Sequence, residues 1–144
     1  MPESFRMIEP MERERLREPD ADLDRLARRV IGAALEVHRT LGPAFAESVY
    51  EEALAVELAL LRVPLQRQVP VAVNYKGYLV GEGKLDLLVD RRLVVELKSV
   101  EALAPLHFSQ VLAYLCASKC QLGLLINFNV CELRRGVRRV VLSR

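Results

Sequence analysis

Tryptophan is absent from these 144 residues, and phenylalanine and tyrosine together supply only 6% of them. Long apolar runs are missing too. None approaches the ~18 consecutive residues a membrane-spanning helix needs, so no such span is expected. The opening stretch MPESFRMIEPMERERLREPD is charged throughout and has no apolar core segment, which argues against a secretory leader and makes a cytoplasmic location the expectation. Cysteine is scarce and odd in number: Cys116, Cys120 and Cys131 lack the paired spacing of a zinc site. Cys116 and Cys120 fall one helical turn apart, where small core hydrophobes are the commoner reading and a metal-binding pair the rarer one. A dominant charge is lacking as well. Twenty-one basic and 19 acidic side chains leave a net charge of +2, which selects no partner by itself.

What is present is the composition of a soluble globular protein, 51% hydrophobic and 28% charged, long enough for one domain around one core. Residues 1–19 carry no apolar periodicity and read as a mobile arm outside a single domain spanning 20–144. From Asp20 onward Leu23, Leu26, Ala27, Val30, Ile31, Ala34, Leu35 and His38 recur at helical spacing, and Gly42 and Pro43 supply the stop. A second helix is expected over about Ala44 to Leu61, closed by Pro64. The stretch from Gln68 to Ser99 alternates and is punctuated by turn candidates at Lys76-Gly77, Gly81 to Gly83 and Asp90 to Arg92, which predicts three strands in a meander. Pro105 opens a third helix to about Ser118, LGLLINF reads as a buried strand, and the tail is expected to fold back as a hairpin around Gly136. That order indicates an α/β fold with a mixed central sheet flanked by helices and a C-terminal β-hairpin. Arg134, Arg135, Arg138 and Arg139 cluster in the tail, either to touch phosphates or to guard a solvated edge strand.

One strand is unusual. In RRLVVELKSV the apolar run Leu93, Val94, Val95 gives way to Glu96 and Lys98, two residues apart and so on one face. The preceding strand, GKLDLLV, holds a single acid, Asp86. A three-residue turn at Asp90, Arg91 and Arg92 pairs Val89 with Leu93 and sets Asp86 directly opposite Glu96; a two-residue turn would oppose it to Leu97. In the first register Asp86, Glu96 and Lys98 share a face, and Leu85, Leu87, Val95 and Leu97 fill the other. Two facing carboxylates repel unless something positive lies between them. A divalent metal on oxygen ligands is one answer and a salt-bridge trio with Lys98 is the other. On the third helix Gln110 and Tyr114 stand four residues apart with His107 a turn before, which is either a solvent stripe or a set of hydrogen-bond donors for a phosphate. Helix two offers Glu47, Tyr50 and Glu51, and Glu47 suits a helix start on dipole grounds alone.

These segments resemble a known family. VHRTLGPAFAESVYEEAL is similar to the signature of the GxxExxY proteins, small domains placed within the PD-(D/E)XK nuclease superfamily, and the likeness continues through YKGYLVGEGKLDLLVDRRLVVELKSVE, HFSQVLAYL and GLLINF. It covers about residues 23–142. Ala44 departs from it, standing where the name-giving glycine would be. The resemblance implies a restriction-endonuclease-like αβββαβ core and a Mg²⁺- or Mn²⁺-dependent endo- or exonuclease, an enzyme hydrolysing phosphodiester bonds of DNA. It implies that Asp86, Glu96 and the Leu97 carbonyl hold the metal with Glu47 as a further ligand, and that Lys98 orients or deprotonates the attacking water. Gln110 and Tyr114 would then position the scissile strand, with Tyr50, Glu51 and His107 around the substrate. The partner expected is nucleic acid, met as a homodimer or beside a protein that brings the substrate, with no small-molecule cofactor. The alternative is a catalytically silent nucleic-acid-binding or assembly module on the same fold.

Overall fold

In the computed structural model, which describes residues 19–142, the expected N-terminal arm lies outside the described residues apart from Pro19. Helix α1, Ala21–Leu41, starts where the Asp20 carboxylate accepts the Leu23 N–H at 2.8 Å, pairing one of the donors that every helix start leaves open. Its inner stripe buries Leu23, Leu26, Ala27, Val30, Ala34 and Val37, the spacing of a single helical face. The helix ends at Gly42, whose φ of +69° suits glycine. Two residues on, Ala44 has φ +84°, a conformation that strains any residue carrying a Cβ. The turn is clamped from outside. The Tyr50 hydroxyl donates to the Gly42 carbonyl at 2.5 Å and accepts the Phe45 N–H at 3.2 Å, while Ser99 Oγ donates to the Phe45 carbonyl at 2.5 Å. Ala44→Gly is therefore expected to stabilise the protein by about 1 kcal/mol, the left-handed penalty less the entropy glycine adds to the unfolded chain. Thermal melts test this: Tm should rise by about 3 °C, and an unchanged Tm would show that the turn holds no strain.

Because residues 42–46 form that turn, helix α2 occupies Glu47–Leu60 and begins later than its composition suggests. Strands β1 (Leu65–Tyr75), β2 (Tyr78–Val89) and β3 (Leu93–Lys98) follow as an antiparallel meander. Helix α3 (Pro105–Ser118) then carries the chain across to β4 (Leu122–Asn127), which pairs parallel with β3, and β5 (Val137–Val141) closes the sheet antiparallel to β4. The strand order β1-β2-β3-β4-β5 makes a mixed five-stranded sheet, and the elements from α2 to β4 run αβββαβ as expected. Helices α1 and α2 cover one face over Leu87, Val89, Leu93, Val95 and Leu97. Helix α3 covers the other with Val111 and Leu115 over Leu85, Val94 and Leu125, and Cys120 joins that apolar layer. With helices on both sides, β4 is buried along its whole length.

Two turn expectations are corrected. Gly81 and Gly83 lie within β2; a Cβ on Gly83 would come within 2.8 Å of the Tyr114 ring, so glycine there admits the α3 side chain to the sheet. Gly136 is not the tip of a hairpin. It ends a 3₁₀ turn, Leu133–Gly136, where a Cβ would fall 2.1 Å from the Asn127 carbonyl oxygen. The C-terminal hairpin is instead the β4–β5 pair, joined through residues 128–136.

Candidate active site at the split of β2 and β3

The β2–β3 hairpin turns through Asp90 and Arg91 at φ +50° and +56°, with the Arg92 N–H on the Val89 carbonyl at 3.0 Å. Val89 pairs with Leu93, Leu88 with Val94 and Leu87 with Val95, the three-residue-turn register. Continued by one step it sets Asp86 against Glu96, yet the backbone ladder stops short of that pair. The carboxylates take over: Glu96 Oε1 accepts the Asp86 N–H at 3.0 Å, and Asp86 Oδ2 accepts the Leu97 N–H at 2.9 Å. Each acid thus holds the other strand at the point where the two separate.

Face-sharing holds for Leu87, Val95 and Leu97 but not for Leu85, which packs in the α3-side layer. The reason lies in β1. Arg67 pairs with Leu87 and Val69 with Leu85, but the intervening pair, Gln68 with Asp86, is missing. Gln68 has φ +51°. Arg67 reaches Glu51 and Glu52 on α2, whereas Val69 packs towards α3. Alternation is broken in both strands at one level, and Asp86 sits at the break, as side chains re-aimed by strand irregularities do.

Glu96 is 3% exposed. Burial, and after it the negative charge of Asp86, pushes its carboxyl from the ordinary 4.5 up to about 8, with the Asp86 N–H and the charge of Lys98 offsetting only part of the rise. Among the described residues Lys98 forms no ion pair with either acid, so the salt-bridge trio is not what neutralises them. The N–H and C=O of one strand residue point the same way; with its N–H on Asp86, Leu97 turns its carbonyl to the same side. Two carboxylates and a carbonyl are hard oxygen donors, the set that suits Mg²⁺ or Mn²⁺ and not a thiophilic metal. A dication would also supply the positive charge that the acid pair lacks, so these residues fit the ion.

Lys98, half-buried at the end of β3, lines a cavity of about 490 Å³ with Leu106, His107, Ser109 and Gln110. Gln110 Nε2 donates to the Tyr114 hydroxyl at 3.4 Å, joining the two polar residues of that face of α3. His107 Nδ1 accepts the Ala104 N–H at 2.9 Å and so caps α3, which leaves the proton of its neutral ring on Nε2. Two expected members are elsewhere. Tyr50 is fully buried, stacked on Phe128 with ring centroids 4.4 Å apart and its hydroxyl committed to the 42–45 turn, so it braces the fold and does not face a substrate. Glu47 is exposed at the start of α2 beside a separate concavity lined by Ala44, Ser99 and Asn129. Among the described residues no three His, Cys, Asp or Glu side chains come together as a metal-holding set, so Glu47 does not join the Asp86–Glu96 pair. The acid that does reach towards it is Glu51, which accepts from Arg67 at 2.9 Å and from Gln68 Nε2 at 2.6 Å; the same Gln68 nitrogen lies 3.5 Å from Asp86 Oδ1. Sequence reasoning missed Gln68, for which the only available signal was the β1–β2 register.

The arginine cluster is exposed. Arg139 pairs with Asp24 on α1 at 2.8 Å, Arg135 with Glu132 at 3.5 Å, and Arg138 donates to the Arg135 and Val137 carbonyls. Arg138 stands beside Leu125, itself beside Glu96, which places it two strand spacings, ~10 Å, from the acid pair. Among the described residues no helix is long and apolar enough to cross a membrane. A family model of the PD-(D/E)XK nuclease superfamily matches residues 24–140. No curated protein and no solved structure matches the chain.

Proposed function

Because the chain belongs to the PD-(D/E)XK nuclease superfamily, we propose that it is a metal-dependent phosphodiester hydrolase of the GxxExxY group, acting on DNA in the cytoplasm. The observation that carries this reading is the interlocked Asp86–Glu96 pair at the strand split, with Lys98 two residues further along. Asp86, Glu96 and the Leu97 carbonyl would hold Mg²⁺ or Mn²⁺. Such an ion, when bound, lowers the pKa of a water and neutralises charge on the phosphate.

The chain's own groups do the rest. Glu96, its proton given up to solvent, would serve as an oxygen donor to the ion. The Lys98 ammonium lies in the adjoining cavity, where it orients the attacking water and stabilises the charge that builds on the phosphoryl oxygens. Gln110 and His107 line the same cavity and donate hydrogen bonds along the scissile strand, and Tyr114 holds the Gln110 carboxamide from behind. Arg134 on the 3₁₀ turn and Arg138 on β5, both exposed, add phosphate contacts. A net charge of +2 is a weak grip on DNA, and a homodimer or a partner that brings the substrate supplies the remainder. The test is a cleavage assay on linear, circular and single-stranded DNA with Mg²⁺ or Mn²⁺ and with EDTA. Metal-dependent cleavage is the expected result. A protein that cuts none of the three, or cuts equally well in EDTA, overturns the proposal and leaves a binding module.

A further inference from the structure

We infer that Gln68 is a positioning residue that fixes Asp86 for its metal, and that the strained backbone at residue 68 is the cost of that role; the inference rests on the metal reading above. Three observations converge on this residue. Its φ of +51° is one that a glutamine has no local reason to adopt. Its ladder pairing with Asp86 is missing although the pairs on both sides, Arg67–Leu87 and Val69–Leu85, are made. Its carboxamide nitrogen stands between two acids, 2.6 Å from Glu51 Oε1 and 3.5 Å from Asp86 Oδ1. With carboxylates on both sides, the NH₂ and not the carbonyl must face them.

Strain of this kind persists only where the surroundings over-determine it. Here Arg67, the preceding residue, is anchored to Glu51 and Glu52 at 2.9 Å and 2.7 Å, and the ladder resumes at Val69. The left-handed residue between these anchors has two consequences. The Asp86 N–H is released from β1 and goes to Glu96. Asp86 is also held at both oxygens, Oδ2 by the Leu97 N–H and Oδ1 by Gln68. An unstrained residue 68 would restore the ladder pair, occupy the Asp86 N–H and leave Oδ1 without a donor. Residues that orient a ligand without touching the ion set its affinity as strongly as this.

The test compares Gln68→Gly and Gln68→Ala with wild type as metal-stripped full-length proteins, titrated with Mn²⁺ under electron paramagnetic resonance and then melted. Both variants should bind Mn²⁺ about 10-fold more weakly. The glycine variant should melt about 3 °C above the alanine variant, because only glycine relieves the left-handed backbone. A glycine variant that binds Mn²⁺ as tightly as wild type overturns the positioning role, and an alanine variant that melts at or above the glycine one overturns the strain. Wild type that fails to bind Mn²⁺ sinks the metal reading itself and this inference with it, an outcome distinct from the other two.

Discussion

Lys98→Ala is expected to slow metal-supported DNA cleavage by ~10³-fold while Tm stays within a few degrees of wild type, the magnitude seen when one charge-stabilising or proton-transferring group is removed. The tolerance of the fold follows from the placement of Lys98. It is half-buried at the rim of the cavity and forms no ion pair with Asp86 or Glu96 among the described residues, so its loss strands no buried partner. Asp86→Asn should lose as much rate for a different reason. The amide retains an oxygen for the Leu97 N–H but removes the charge that a cation requires, and it also removes the repulsion that raises Glu96. That variant should therefore melt above wild type and bind Mn²⁺ at least ~10-fold more weakly, whereas Lys98→Ala binds Mn²⁺ undiminished. Single-turnover rates and Mn²⁺ titrations separate the two. Wild-type cleavage by the lysine variant would remove Lys98 from the chemistry, and undiminished Mn²⁺ binding by Asp86→Asn would move the metal elsewhere.

Much of this arrangement is legible in the residues. Helix α3 runs from Pro105 to Ser118 as its proline and apolar spacing indicate, and the three-residue turn sets the β2–β3 register because one burial pattern satisfies both strands. The β1–β2 register is not legible in the same way. The Lys76-Gly77 turn pairs Tyr75 with Tyr78 and Asn74 with Leu79, and a ladder continued from there would set Arg67 against Asp86. A shift between Val73 and Asn74 brings Gln68 there instead. Both strands are solvent-exposed at that level, so no hydrophobic pattern announces the slip. The choice between Glu47 and Glu51 depends on it. The two acids lie one turn apart on α2, and what draws Glu51 towards the site is Arg67 and Gln68 on a strand whose register cannot be read in advance. Tyr50 shows the complementary limit. A tyrosine in a polar helix start reads as functional until both hydrogen bonds of its hydroxyl are found inside a turn.

The buried acid pair makes stability depend on pH in a direction opposite to that of most carboxylates. Glu96 holds its proton more tightly in the folded chain, up to about 8 against an ordinary 4.5, so between those values the folded state binds more protons than the unfolded. Its contribution is full below pH 4.5 and is lost as pH rises through about 8, an effect of order 5 kcal/mol. Glu96→Gln replaces the acid with a neutral isostere that can still accept the Asp86 N–H. Without metal the variant and wild type should be nearly equal in stability at pH 4.5, and the variant should be more stable by about 4 kcal/mol at pH 8.5. Urea unfolding of EDTA-treated protein across that range measures the gap. Parallel curves, with no divergence as pH rises, would mean that Glu96 ionises freely in the folded chain. Added Mg²⁺ should close the gap at pH 8.5 by stabilising wild type alone, because only the ionised pair gains from a dication. The feature that weakens the metal-free fold at neutral pH is the one the proposed chemistry requires: two interlocked carboxylates that without a cation ionise together only above about pH 8.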